Sequence, residues 1–357
     1  VLALALIVGQ QLAVIRRGGS PPSSPDAAST MTPGPARESP TPSPSPARAL
    51  DFPALQLLVG SNQGTLYRID GSGAVLASTA LCPGRAVWVH AAPSGTRAVA
   101  ICSPSDPRTL GGEAYLIALT DGGDLGRPTR VPVAVDAAGD TAAWSLDGSA
   151  LALLGPGDCP FAGIPCNKRL VLYDIRTGDS RLLRAEEPLL GTLKWTPLGL
   201  TVFRTGVGTF LLQGSTWTRL SEHELILADS SGRALLHQTS FIDRGGSVVW
   251  ERAAGGAERQ LTDPRASEYG AALLSGGRSL VWRDQPQSAM VTYEDGRLIA
   301  QTPGGFWLNP VRSGDWLATT DVTGMIRAYS IAQAGFASWP GSLSERPLSL
   351  TVIAGPP

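Results

Sequence analysis

The residues of this chain whose types could do chemistry are four cysteines, three histidines and one Ser-Leu-Asp-Gly box. The cysteines stand at 82, 102, 159 and 166, and an even number at local spacing suits disulfide pairing. Cys159 and Cys166 close CPFAGIPC, a short Pro- and Gly-rich insertion that gains modest stability from its own bridge. Cys82 precedes one repeat and Cys102 lies in that repeat's second strand, so these two can also meet. Paired cysteines imply an oxidising compartment; four buried free thiols are the alternative. A zinc site would need Cys-x2-Cys spacing or histidines close by, and His90, His223 and His237 are far apart with no HExxH. Lone histidines of this kind read as surface or satisfied strand positions. The expectation is no metal and no cofactor.

Hydrolytic chemistry finds little to rest on. Ser145-Leu146-Asp147-Gly148 partly matches the Asp-box S-x-D-x-G-x-T-W, but its glycine comes one place early and no Thr-Trp follows. Sialidase chemistry would also need converging arginines and a tyrosine nucleophile. Asp147 reads more simply as a turn residue whose carboxylate caps backbone amides. No G-x-S-x-G elbow is present, and no catalytic residue is assigned. RIDGSG, TDGGD and RAAGGAE sit between strand-like runs rather than before helices, so they are hairpin turns and not phosphate loops.

The elements that position these residues are repeats. WSLDGSALALLG (144–155) is a short strand, a tight turn and a second apolar strand, and weaker versions recur along the chain. Aligned on the turn glycine, the copies centre on Gly95, Gly148, Gly199, Gly232, Gly277 and Gly314. Glycine fits a turn position with positive φ, which a residue with Cβ resists. Each copy continues into a third and fourth strand, most clearly in RLVLYDIRTGDSRLLR (169–184). Four antiparallel strands recurring every roughly 31 to 53 residues point to a β-propeller. Leu55 to Thr79 supplies three further strands, and RPLSLTVIAG (346–355) a single one. Joined, they make a seventh blade and close the ring, which removes the open edges at the seam. Six blades is the alternative, if the short unit near Gly199 is incomplete. Trp88, Trp144, Trp195, Trp250, Trp282, Trp307 and Trp316 fall in or beside repeat strands. They read as packing between blades, or as stacking surfaces at the central pore.

WSLDGSALALL and LYDIRTGDSRLL resemble the WSPDG-type repeats of the TolB-like propeller family, which is related in shape to WD-repeat proteins. The resemblance covers residues 55–354. Trp144, Ser145, Asp147 and Gly148 match, while Leu146 stands where the repeat usually has proline. The Gly-His and Trp-Asp pairs of true WD repeats are absent. The resemblance implies an extracytoplasmic binding or scaffolding domain, and in some members the propeller half of a peptidase.

Ahead of the repeats the texture is different. Val1–Ile15 is nearly all apolar and Arg16-Arg17 follows. It spans roughly 22 Å as a helix, short of the roughly 30 Å hydrocarbon core. The chain opens on Val rather than Met, so residues 1–17 read as a truncated transmembrane anchor, or as the tail of a signal segment. Residues 18–50 are a Pro/Ser-rich disordered linker, with PTPSPSP extended as a stalk. Residues 51–357 are the propeller. Arg16-Arg17 alone would place the propeller in the cytoplasm by the positive-inside rule, whereas the stalk and cysteines favour the outside.

The 29 basic and 30 acidic residues nearly balance and are dispersed, which argues against nucleic acid. With 17% charged residues, 42 Gly and 29 Pro, an all-β fold is favoured. The expected function is a membrane-tethered, extracytoplasmic, non-catalytic module that binds protein, peptide or glycan on a propeller face. The alternatives are a propeller hydrolase or lyase acting on glycans or peptides, and a cytoplasmic scaffold with reduced cysteines.

Overall fold

The computed structural model describes residues 48–106, 111–136, 140–157, 167–188, 190–213, 216–239, 247–263, 267–285, 287–304, 308–321 and 323–354. The expected anchor, most of the linker, Trp307 and the CPFAGIPC loop with Cys159 and Cys166 lie outside these residues. Among the described residues, all regular structure is strand, and no helix is long and apolar enough to cross a membrane.

The strands form seven sheets, each a propeller blade. Blades 2 to 7 are contiguous in sequence. Their inner strands are, in order, Val87–Ala91, Ala142–Trp144, Leu190–Thr196, Glu224–Ala228, Ser267–Leu273 and Leu308–Ser313. The unit around Gly199 is a full four-stranded blade, so the count is seven and not six. Blade 1 is composite. Pro347–Ala354 is its inner strand, followed outward by Gln56–Ser61, Thr65–Ile69 and Val75–Ala80. Leu58 pairs with Thr351 and Val59 with Leu350 across that join. Blade 7 gains a fifth strand, because Arg48–Ala49 lies parallel to its outer strand Gly335–Ser338.

The period-2 alternation of each strand explains the packing. Successive side chains point to opposite faces, and in a propeller each face meets a different neighbour. In Arg97–Cys102, Ala98, Ala100 and Cys102 pack towards blade 1, while Val99 and Ile101 pack towards blade 3. In Ala150–Pro156, Leu151 and Leu153 face blade 2, and Ala152 and Leu154 face blade 4. Strands near the axis therefore read as unbroken apolar runs. Outer strands such as Val75–Ala80 are half exposed. Among the described residues seven apolar clusters result, one in each seam, and the seam between blades 7 and 1 holds Leu57, Val59, Ile69, Ala318 and Trp339.

Polar side chains bridge the same seams. Arg68 of blade 1 is buried and donates to the carbonyls of Thr120 and Asp124 in blade 2, at 2.6 and 3.1 Å. Burial pushes its guanidinium below the usual arginine range. Arg233 of blade 5 pairs with buried Glu251 and reaches the Leu274 carbonyl of blade 6 at 3.1 Å. In blade 6, buried Glu268 takes Arg283 and the Tyr293 hydroxyl, and burial pushes its carboxyl up. Such buried pairs fix register more than they add stability, but losing one partner strands the other. The closing strand is held similarly. Ser349 Oγ accepts Val89 N–H, and Thr351 Oγ1 accepts Ala91 N–H, so blade 1 hydroxyls satisfy the inner strand of blade 2. Glu345, just before the strand, takes the hydroxyls of Ser61 and Thr65.

Cys82 and Cys102 form a disulfide with Cα atoms 6.2 Å apart, both in the seam between blades 1 and 2. Their sequence separation is 20. A loop of this size corresponds to about 3 kcal/mol in the chain-entropy account. Reduction is therefore expected to lower the unfolding free energy by about that amount, read by urea titration with and without reductant. No change would mean that the bridge does not constrain the unfolded chain.

The six repeat glycines all have positive φ, from +56° to +127°. Gly95 and Gly148 share a φ of +69° but differ in surroundings. A Cβ on Gly95 would lie 2.2 Å from the Ile353 carbonyl oxygen, and one on Gly148 would meet nothing nearer than 3.9 Å. Gly148→Ala should destabilise by about 1 kcal/mol, the conformational term alone. Gly95→Ala should cost about 2 kcal/mol more, because the blade 1 backbone must move. Equal losses in denaturant titration would refute the distinction.

Candidate binding site

The inner strands run side by side around the axis, each ending in the turn to its second strand. At that end their residues enclose a cavity of about 570 Å³. Blades 7, 1, 2, 3 and 4 line it, through segments 311–313, 351–353, 90–93, 140–146 and 193–195. Its chemistry is mixed. Val352, Ile353, Leu146 and Trp195 supply apolar surface, while Asp140, Lys194 and Arg312 supply charge. Concave sites with a few placed polar groups on apolar walls are the usual form of a ligand pocket.

The rim is shaped by the Ser145–Gly148 turn. Asp147 Oδ1 accepts Ser145 Oγ at 2.6 Å and the Ser149 amide at 3.0 Å. The Ser145 hydrogen bond, with those from Ser149, holds the carboxyl down at about 2. Gly148 N–H closes the turn on the Ser145 carbonyl. The result presents Leu146, 52% exposed, at the cavity mouth. Trp144 beside it is fixed by its indole N–H, which donates to the His90 carbonyl at 2.9 Å. The repeat motif thus builds a corner, and the residue departing from the motif is the one on offer at the mouth.

A line of charged side chains follows the inner strands from blade 3 to blade 5. Lys194 Nζ lies 3.9 Å from Asp140 Oδ2. Glu224 accepts the Thr192 hydroxyl at 2.8 Å, and His237 Nδ1 lies 3.9 Å from its other oxygen. Burial opposes ionisation of Glu224. The nearby His237, the Thr192 hydrogen bond and the charge of Lys194 outweigh burial and hold the carboxyl below the usual glutamate range. Past His237 the line turns aromatic, with Tyr269 5.1 Å away and stacked on Trp282 at 4.7 Å.

The sequence-picked residues fall as follows. The three histidines lie apart. His90 is at the cavity, His237 is on the charged line, and His223 stacks on Trp250 at 4.6 Å with its pKa pushed down by burial. Among the described residues, no three His, Cys, Asp or Glu side chains are grouped to hold a metal. Trp144 and Trp282 are buried in seams, and Trp88, Trp195, Trp250 and Trp316 pack partly buried against them. Trp195 also faces the cavity. Trp339, which sequence reading passes over, is buried and donates to the Asp70 carbonyl at 2.7 Å. Sequence reading does not single out Asp140, Lys194, Glu224 or Arg312 either. Their one signal is a charge within or beside an otherwise apolar inner strand, as in LGTLKWT.

The Glu224 arrangement has a consequence for pH. A carboxyl whose folded pKa lies below its unfolded one stabilises the fold above the unfolded value, and that contribution is lost as pH falls through the folded one. The stability difference between the native chain and Glu224→Gln should be full near about pH 6 and shrink towards about pH 3. Urea titrations across that range measure it, and a difference that grows on acidification would contradict the assignment.

No family model matches the chain, and no curated protein matches it by sequence. Solved structures do match by shape. Apo AztD from Citrobacter koseri aligns at 11% identity and a TM-score of 0.52, over 85% of this chain and 99% of that one. A prolyl endopeptidase aligns at 13% identity and a TM-score of 0.52, over 81% of this chain and 50% of its own. TolB from Acinetobacter baumannii aligns at 14% identity and a TM-score of 0.44, over 71% of this chain and 64% of its own. The chain thus spans half the length of the prolyl endopeptidase and about two thirds of TolB. At these identities the likeness is one of fold alone. The chain is a seven-bladed β-propeller, the fold that its resemblance to TolB-like repeats implies.

Proposed function

We propose that the protein is a non-catalytic binding module, tethered to a membrane and held outside the cytoplasm, that receives a protein, peptide or glycan on the turn-bearing face of the propeller. The observation that carries the reading is the axial cavity. Its mouth presents exposed Leu146 and half-buried Trp195, and its walls hold charged groups fixed on rigid inner strands. An exposed leucine beside a tryptophan at a polar-rimmed opening is the texture of a recognition surface. The external setting is supported by the Cys82–Cys102 disulfide. The tether is supported by the apolar run before Arg16-Arg17 and the Pro/Ser-rich stretch after it.

The full chain, applied to peptide and glycan arrays, tests this reading. Leu146→Asp is the informative variant, since the side chain lies in an exposed turn and its loss leaves the seams alone. Binding at least tenfold weaker, with an unchanged unfolding midpoint, is the expected result. Ligand recovered cleaved would favour the hydrolase or lyase reading. Binding indifferent to Leu146→Asp would move recognition to another face.

A further inference from the structure

The cavity has a charge pattern that narrows its ligand. Arg312 stands at its blade 7 wall with the guanidinium already oriented. Nη1 donates to the Leu273 carbonyl at 2.7 Å and Nε to the Gly314 carbonyl at 3.0 Å. These carbonyls fix its direction, towards blade 6, and among the described residues no carboxylate pairs with it. Lys194 stands on blade 4, three blades away in a ring of seven, and therefore across the axis. Its nearest carboxylate, Asp140, is 3.9 Å off, beyond hydrogen-bond range. Two cations thus line one cavity, Lys194 sharing its charge with Asp140 and Glu224 and Arg312 meeting carbonyls alone. The remaining wall is Leu146, Trp195, Val352 and Ile353.

We infer that the axial cavity is an organic-anion site. It takes a carboxylate borne on an apolar or aromatic body, with the carboxylate between Arg312 and Lys194 and the body against Leu146 and Trp195. The inference rests on the reading of this cavity as the recognition site. A pre-oriented guanidinium loses little freedom on binding, and a planar carboxylate matches its geometry. Asp140 competes with the ligand for Lys194, so it sets a sign for the test: removing its charge must tighten binding, whereas a merely structural Asp140 would not. The carboxylate has two possible sources, a free organic acid or the C-terminus of a peptide chain.

Calorimetric titration of the full chain with indole-3-acetate and its neutral analogue indole-3-acetamide decides the matter. The acid should bind at least tenfold more tightly than the amide. Arg312→Gln and Lys194→Gln should each remove most of that preference, and Asp140→Asn should increase it several-fold. Arg312 also ties blade 7 to blade 6, so Lys194→Gln and Asp140→Asn carry the test if Arg312→Gln unfolds. A short peptide ending in free Trp-carboxylate, compared with its amide, separates the sources. Preference for the acid peptide over indole-3-acetate assigns the site to chain ends, and the reverse assigns it to free acids. Equal binding of acid and amide, failure of both to bind, or weaker acid binding by Asp140→Asn overturns the inference. Array binding that Leu146→Asn weakens, without any preference for acid over amide, would leave the recognition reading standing and overturn only the anion inference.

Discussion

A blade of this protein is a sheet with two apolar faces, and neither can be left to water. That constraint generates the rest of the structure. Because side chains alternate, Val99 and Ile101 are buried against blade 3 while Ala98, Ala100 and Cys102 are buried against blade 1. A single blade, or a row of them, would always have two uncovered faces. Only a closed ring leaves none, and it closes here when Leu57 and Val59 meet Ala318 and Ile326 across the final seam. The hydrophobic term is spread over seven seams of similar make, each also pinned by directional polar contacts such as Arg68 to Thr120.

This constraint also explains what was legible in the sequence. Turn glycines and apolar second strands are demanded by the repeat in every blade, so they survive where the rest of the motif has decayed. Gly95, with the Ile353 carbonyl where its Cβ would be, shows why one such glycine is kept. Strand count and composite closure followed from that pattern, since RPLSLTVIAG had no blade of its own. The cavity was much less legible. Its residues come from five blades, and no local spacing links Asp140, Lys194 and Arg312. Ring geometry brings them together, and ring geometry is not written in any one repeat. Leu146 carried a weak clue, as the place where WSLDG leaves the common motif.

The site and the scaffold divide the labour by position along each strand. Side chains directed into seams are apolar or closely paired, as with Glu251 between Arg233 and Arg259. Side chains at the axis are charged and loosely paired, as with Lys194 and Asp140 at 3.9 Å. Loose pairing at the end of a rigid strand keeps a charge available while fixing its place, which is what recognition of a small charged group requires. Variation at the axis can then change the ligand without disturbing a seam.

Composite closure has a consequence in time. Blades 2 to 7 each draw their four main strands from one continuous stretch, so each can form as soon as that stretch is available. Blade 1 cannot. Ser61 and Glu345, which meet at its join, are 284 residues apart. Closing a loop about seven times longer than a blade adds only about 2 kcal/mol of entropy, so the burden is one of order rather than of energy. Until residues 347–354 arrive, the strand Gln56–Ser61 has an unpaired edge, and blade 2 lacks the hydroxyls of Ser349 and Thr351. The chain must protect both while blades 2 to 7 are made, and then lose both liabilities in one step.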